Sequence, residues 1–232
     1  MATTNRPVTA VAAIPREFSG LLAHATLVRA LRTPLSYAVE ADIDGRRWLL
    51  LANGEGPARA GAAAAYALRE ARTSALVSTG YCGGLDPALK VGDIFVADQV
   101  LDDAGRYWPA STTGPASGTL LSQDRVAITE REKCGLFASG ARAVEMEAAA
   151  VARAASQGGT PFHCIRVVSD SALETLPLDF NLYRDSTGRF RRGRILAAAL
   201  ARPSSFGGLL RLNKASLAAA RSLGDFLACC QF

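Results

Sequence analysis

The sequence predicts a single-domain, three-layer α/β/α fold around a central mixed sheet, and three observations lead there. Short apolar runs of strand length alternate with Ala- and Leu-rich helical stretches, as in sheets covered by helices on both faces. A chain of 232 residues can bury one sizeable core, and its length favours one domain over two. A composition of 49% hydrophobic and 20% charged residues is that of a folded globule, with no bias towards disorder or a collagen-like repeat.

Taken in order, residues 8–14 read as a buried strand stopped by Pro15-Arg16-Glu17, and 17–32 as the helix after it. Residues 48–52 form a second strand that runs into Asn53-Gly54-Glu55-Gly56-Pro57, and 58–71 an Ala-rich helix with that proline at its first turn. Residues 75–79 are a buried strand ending at Gly80, and 91–100 a further strand after the Asp86-Pro87 turn. The Gly/Ser/Thr/Pro-rich stretch 103–119 is the longest loop and a candidate lid. Strand 120–128, helix 130–138, strand 141–146, helix 147–156 and strand 161–168 follow. From about residue 176 a Pro/Asp/Asn loop leads to helical segments at 189–201, 203–212 and 214–228, read as a basic C-terminal part of the same domain.

Several function classes are excluded early. The formal charge of +5 suggests nucleic acid, but residues 1–175 hold 17 basic and 18 acidic side chains, whereas 176–232 hold nine and three. The excess therefore lies in a tail, and no nucleic-acid partner is expected. Five scattered cysteines, Cys82, Cys134, Cys164, Cys229 and Cys230, without a CxxC pair, read as reduced thiols of a cytoplasmic protein. His24 and His163 lie far apart, and no metal site is expected. The N-terminal apolar run is too short for a signal peptide, and no window suits a membrane-spanning helix.

Two glycine-rich stretches and an acidic constellation carry the chemistry. Gly54-x-Gly56 lies between a strand and a helix, where free amides suit an anion or a hydroxyl-rich ligand. A dinucleotide fingerprint needs a third small residue at Arg59, which argues against an oxidoreductase. The stretch from Ser78 to Gly84 ends a strand in three glycines within five positions, at the sheet edge where α/β folds bind ligands. In Val144-Glu145-Met146-Glu147, alternation sends both carboxylates to one side where a strand passes into a helix. Arg166 and Asp170, with Ser169 between them, end another strand, and Glu17 follows the first. Each of these taken singly fits a turn, a cap or a surface ion pair. Together they place several carboxylates and one arginine at one sheet edge, which suits a neutral polyhydroxylated substrate and acid–base chemistry.

The segments TGYCGGLDPALKVGDIFVADQV, AVEMEAAAVARAA and CIRVVSDSA together resemble the purine nucleoside phosphorylase/uridine phosphorylase-like family, especially its methylthioadenosine/S-adenosylhomocysteine nucleosidase branch, from about Val8 to Ala172. The short connection from Ser122-Gln123-Asp124-Arg125-Val126 to Val144 and the tail from Asp185 to Leu212 look most like the hopanoid-associated phosphorylases, also described as adenosylhopane nucleosidases.

The resemblance implies a nucleoside phosphorylase-like fold and cleavage of a purine N-glycosidic bond, by hydrolysis or phosphorolysis. Glu17 would activate the attacking water and Arg166 would position it, beside Gly80 and Tyr81. Met146 and Glu147, with Glu145, would form the ribose platform. Asp170, held by Ser169, would protonate N7 of the departing purine, and Val126-Ala127 would face the base. Tyr81 stands where nucleosidases carry a small serine, so a phenol would crowd the nucleophile, and no aromatic stands at Val126. These two departures keep a non-catalytic nucleoside-binding protein in view.

No cofactor is implied, apart from inorganic phosphate as co-substrate of a phosphorylase. Glu17 would repel phosphate while Arg16, Arg59 and Arg166 would attract it, so the acceptor stays open, with hydrolysis favoured. The family habit implies a homo-oligomer. A lipid-linked adenosyl substrate would give the basic, Leu- and Phe-bearing tail a role in peripheral contact with the inner membrane face, against the plainer reading of a solvated helical face.

Overall fold

The computed structural model describes residues 6–185, 188–201 and 203–232. Strand β1 (Val8–Ala12) leads through a 3-10 turn (Pro15–Phe18) into the one-turn helix α1 (Ser19–Leu22). Then come β2 (Ala25–Ala30), β3 (Tyr37–Ile43), β4 (Arg46–Ala52) and α2 (Pro57–Tyr66), which continues as a π turn. The middle of the chain supplies β5 (Ala75–Gly84), β6 (Ile94–Asp102), β7 (Tyr107–Pro109), β8 (Gly118–Ser122) and α3 (Glu130–Ala138). It closes with β9 (Ala143–Glu145), α4 (Ala148–Gln157), β10 (Phe162–Asp170), α5 (Arg192–Ala201) and α6 (Pro203–Cys229).

Among the described residues, one mixed sheet holds all ten strands. β1 lies parallel between β4 and β5, β10 runs parallel along the other side of β5, and β2, β3 and β4 form an antiparallel meander. The pairings β5–β10–β6–β8–β9 return to β5 and close a ring. β5 makes this possible by changing partners. Its residues 75–78 pair with β1, and beyond the end of β1 its Gly83 and Gly84 pair with β9.

Burial on both faces explains the continuous apolar strands. Along β4, Leu49 and Leu51 pack with Ala60, Ala63 and Val151 of α2 and α4, while Trp48 and Leu50 pack with Leu21, Leu223 and Leu227 of α1 and α6. This is the three-layer arrangement expected from the sequence.

Four expectations need correction. Residues 17–32 are not one helix: α1 stops after a turn, and β2 is an edge strand held by β3 although Leu27 and Val28 are exposed. The missed β3 joins β4 through Asp44-Gly45, both at positive φ (50° and 74°), a hairpin signal legible in the sequence. Stretch 103–119 is not one loop. β7 folds back on β6, and the Asp102 carboxylate fastens the turn by accepting from the Ala104 and Arg106 amides and the Trp108 indole. The strand expected at 120–128 ends at Ser122.

The C-terminal segment is also more than a tail. Its two expected helices beyond Pro203 are one, and Ala219, Ala220, Leu223 and Leu227 of α6 are buried in the core. α6 crosses α1 where Gly20 faces Gly224, and a methyl group on either glycine would overlap the other helix's backbone. Gly224→Ala is therefore expected to lower unfolding free energy by roughly 3 kcal/mol, read from a urea titration. An unchanged midpoint would mean that the crossing is loose.

Candidate active site

A cavity of about 270 Å³ opens where the ends of β1, β5, β9 and β10 meet, and Glu17, Glu145, Met146, Glu147, Ser169 and Asp170 all line it. Bare backbone on β5 admits two of its carboxylates. A methyl group at Gly80, which has φ +122°, would overlap the Glu17 carboxylate, and one at Gly83 would lie 3.1 Å from Oδ2 of Asp170. Glu17 is fixed by the Tyr81 amide, which donates to Oε1 at 2.9 Å, and the Ile14 amide, which donates to Oε2 at 2.8 Å. Burial raises its pKa, against the opposing pull of those amides and of Arg166.

Glu145 and Glu147 sit at the junction of β9 and α4. Glu145 accepts from the amides of Glu147 (2.8 Å) and Ala148 (3.0 Å), filling the helix N-terminus. Glu147 accepts from the Gly56 amide at 2.8 Å, so the Gly54-x-Gly56 turn serves to present that amide. Burial, and then the charge of Glu145, push Glu147 up to about 8. Beneath both lies the fully buried Arg166, whose Nη2 pairs with Glu145 and donates to Ser78 Oγ at 2.7 Å, with Nη1 3.6 Å from Glu147. Burial disfavours the guanidinium, but Glu145, Cys164, Glu147 and Glu17 outweigh it and raise its pKa.

Asp170, at the end of β10, is held from two sides. Ser169 Oγ lies 2.7 Å from Oδ1, and Lys133 Nζ of α3 lies 2.5 Å from Oδ2. Sequence reasoning missed Lys133. Within Glu130-Arg131-Glu132-Lys133 it looks like one more surface charge, yet it has no exposed surface.

The remaining expected residues fall out differently. Arg166 and Gly80 do not line the cavity: Arg166 organises the carboxylates from below, and Gly80 gives Glu17 its room. Arg16 donates to Asn213 Oδ1, and neither Arg16 nor Arg59 lines the cavity, so neither is placed to attract phosphate there. Tyr81 lines the cavity, and its hydroxyl donates to the Ser216 carbonyl at 3.0 Å in α6. Val126 and Ala127 line the cavity, and both peptide groups of Val126 are engaged by the Asn181 side chain at 2.9 Å. Among the described residues, no cluster of three or more His, Cys, Asp or Glu could hold a metal ion.

This arrangement coincides with a known sequence family. The family model described as "Phosphorylase superfamily" matches residues 7–123 and 110–201. The chain belongs to the phosphorylase superfamily. Within that superfamily it is 29% identical over 173 residues to a 5′-methylthioadenosine/S-adenosylhomocysteine nucleosidase of Marinomonas sp. (strain MWYL1), covering 60% of this chain and 75% of that protein. Solved structures share the fold. The nucleosidase of that name from Neisseria meningitidis, in complex with methylthio-immucillin-A, matches with TM-score 0.73 at 24% identity, over 96% of this chain and 97% of that one. Futalosine hydrolase of Helicobacter pylori strain 26695 matches with TM-score 0.73 at 14% identity, over 96% and 95%.

The raised pKa of Glu147 has a consequence for stability. A carboxyl raised from 4.5 to about 8 contributes fully below 4.5 and loses that contribution as pH rises through 8. Glu147→Gln, which cannot ionise, is therefore expected to gain stability over the unsubstituted protein between pH 5 and pH 9 in urea titrations. Parallel profiles would show that Glu147 does not titrate in that window.

Proposed function

We propose that this protein cleaves the N-glycosidic bond of an adenine-type nucleoside by acid-assisted hydrolysis. The observation that carries this reading is the pair of carboxylates admitted by Gly80 and Gly83. Glu17 stands against Gly80 and Asp170 against Gly83, three residues apart on β5, and with Met146 and Glu147 they line one cavity of about 270 Å³. That leaves room for a sugar, its base and an attacking water. A division of labour between two separated carboxylates parallels hydrolysis of glycosides through an oxocarbenium-like transition state.

In this reading Glu17 takes the proton of the water as its oxygen bonds to C1′. Glu147 accepts hydrogen bonds from the ribose hydroxyls, and Met146 packs on the sugar. Asp170, oriented by Ser169, gives a proton to N7, so the base departs neutral with the glycosidic electron pair. Val126 and Ala127 flank the base. Arg166 holds Glu145 and Glu147 in place. Water is favoured over phosphate because Glu17 lines the cavity where neither Arg16 nor Arg59 does, and Arg166 is already paired with Glu145.

The sugar end of the cavity shares Ala13, Ile14 and Glu55 with a second cavity of about 390 Å³, which reaches Arg189, Phe190 and Arg192. With C1′ bearing the base and the two ring hydroxyls facing Glu147, the 5′ substituent is the group directed there. Beyond it, α5 exposes Leu196 and Leu200 beside Arg191 and Arg194. This supports a lipid-linked adenosyl substrate of the hopanoid type, peripheral contact with the inner face of the membrane, and a cytoplasmic location. Among the described residues, no helix is long and apolar enough to cross a membrane. The similarity to methylthioadenosine/S-adenosylhomocysteine nucleosidases supports the alternative of a short or amino-acid-bearing 5′ substituent. We also take the chain as one domain that works as a homo-oligomer.

A panel of adenosine, methylthioadenosine, S-adenosylhomocysteine and a lipid-linked adenosyl compound decides among these. Adenine release from at least one is expected, with Asp170→Asn about 10² to 10⁴ slower. Release that survives the substitution at the original rate would remove Asp170 as the acid. Co-sedimentation with anionic vesicles over neutral ones is expected if α5 meets the membrane, and equal binding would remove that contact.

A further inference from the structure

We propose that Lys133 is a positioning residue that holds Asp170 and stabilises the carboxylate left when it gives up its proton, which rests on the reading of Asp170 as proton donor to the leaving base. Lys133 is the one buried residue of α3. Its Nζ lies 2.5 Å from Asp170 Oδ2, 2.8 Å from the Ser171 carbonyl and 2.9 Å from the Glu174 carbonyl. Three acceptors around one nitrogen match the three donors of an ammonium, whereas a neutral amine has only two. Packing alone does not call for such a residue. Burying a charge carries a heavy desolvation cost, and Leu or Met would fill the same space.

The contacts on the other oxygen suit a group that changes protonation state. Ser169 Oγ lies 2.7 Å from Asp170 Oδ1 and 3.1 Å from the Cys82 carbonyl, but a hydroxyl has one proton. It donates to Cys82 while Oδ1 carries a proton, and turns to donate to Oδ1 once that proton has left. Lys133 grips Oδ2 in both states. When the Oδ1 proton passes to N7 and the C1′–N bond breaks, Asp170 becomes an anion facing a buried ammonium. The ion pair is thus strongest in the transition state, where it accelerates the reaction, and not before it. The other ionisable groups around this point are Cys82 on β5, Arg125 beside Val126, Glu145 at the end of β9 and Glu147 after it, Arg166 on β10 and Glu17 beyond Gly80. None of them is hydrogen-bonded to Asp170.

The test compares an accepted purine nucleoside with its N7-methylated counterpart, whose base already carries the positive charge and needs no proton. In Lys133→Met, the ratio of kcat on the methylated to the unmethylated substrate is expected to rise about 100-fold. KM should change little. Lys133→Arg should return most of the original ratio, and it serves as the second reading if the Met variant does not fold. Equal loss on both substrates would make Lys133 merely structural and overturn the proposal. Asp170→Asn separates the two levels. If it raises the ratio and Lys133→Met does not, the inference about Lys133 fails alone. If Asp170→Asn leaves the ratio unchanged, the reading of Asp170 fails and takes the inference with it.

Discussion

Arg166 has no exposed surface, and the carboxylates of Glu17, Glu145 and Glu147 are gathered around it. Three such groups would not share so small a volume without a cation among them, and the guanidinium in turn would not be tolerated there without them. Each carboxylate is also anchored by main-chain amides: Ile14 and Tyr81 on Glu17, Glu147 and Ala148 on Glu145, and Gly56 on Glu147. The cluster therefore draws together the ends of β1, β4, β5, β9 and β10, and the fold around the cavity follows from satisfying it. Burial, and then the charge of Glu145, leave Glu147 with a raised pKa, a perturbation more common at functional sites than in ordinary cores.

Backbone, more than side chains, makes the constellation fit. β5 runs through its glycines instead of stopping at them, and so offers Glu17 and Asp170 places that any larger residue would occupy. The same stretch lets β5 exchange β1 for β9, which closes the ring of strands and brings Glu145 and Glu147 alongside. The site and the topology are thus two results of one run of small residues.

Much of this is legible in the sequence because it depends on local pattern. Strands buried on both faces announce themselves as apolar runs, and the position of Glu17, Glu145, Glu147 and Asp170 at the ends of such runs assigns them to one sheet edge. What is not legible depends on distant partners. Nothing local distinguishes Lys133 from the surface charges beside it, since its burial is decided by the carbonyls of Ser171 and Glu174 and by Asp170. The direction of the Tyr81 phenol is set by Ser216, 135 residues away. β2 is almost wholly exposed and owes its form to pairing with β3, so its Ala/Leu-rich stretch reads as helix when taken alone. The basic C-terminal region reads as an appendage because its charges are conspicuous, whereas the Ala and Leu face that docks α6 into the core is not.

The central claim is that Glu17 directs water at C1′ while Asp170 discharges the base. Its most direct test is to run the reaction on an accepted adenine nucleoside in H₂¹⁸O with millimolar phosphate present, and to weigh the sugar product. A free sugar, its C1′ oxygen drawn from the labelled water, is the expected product. A sugar 1-phosphate without the label would contradict it.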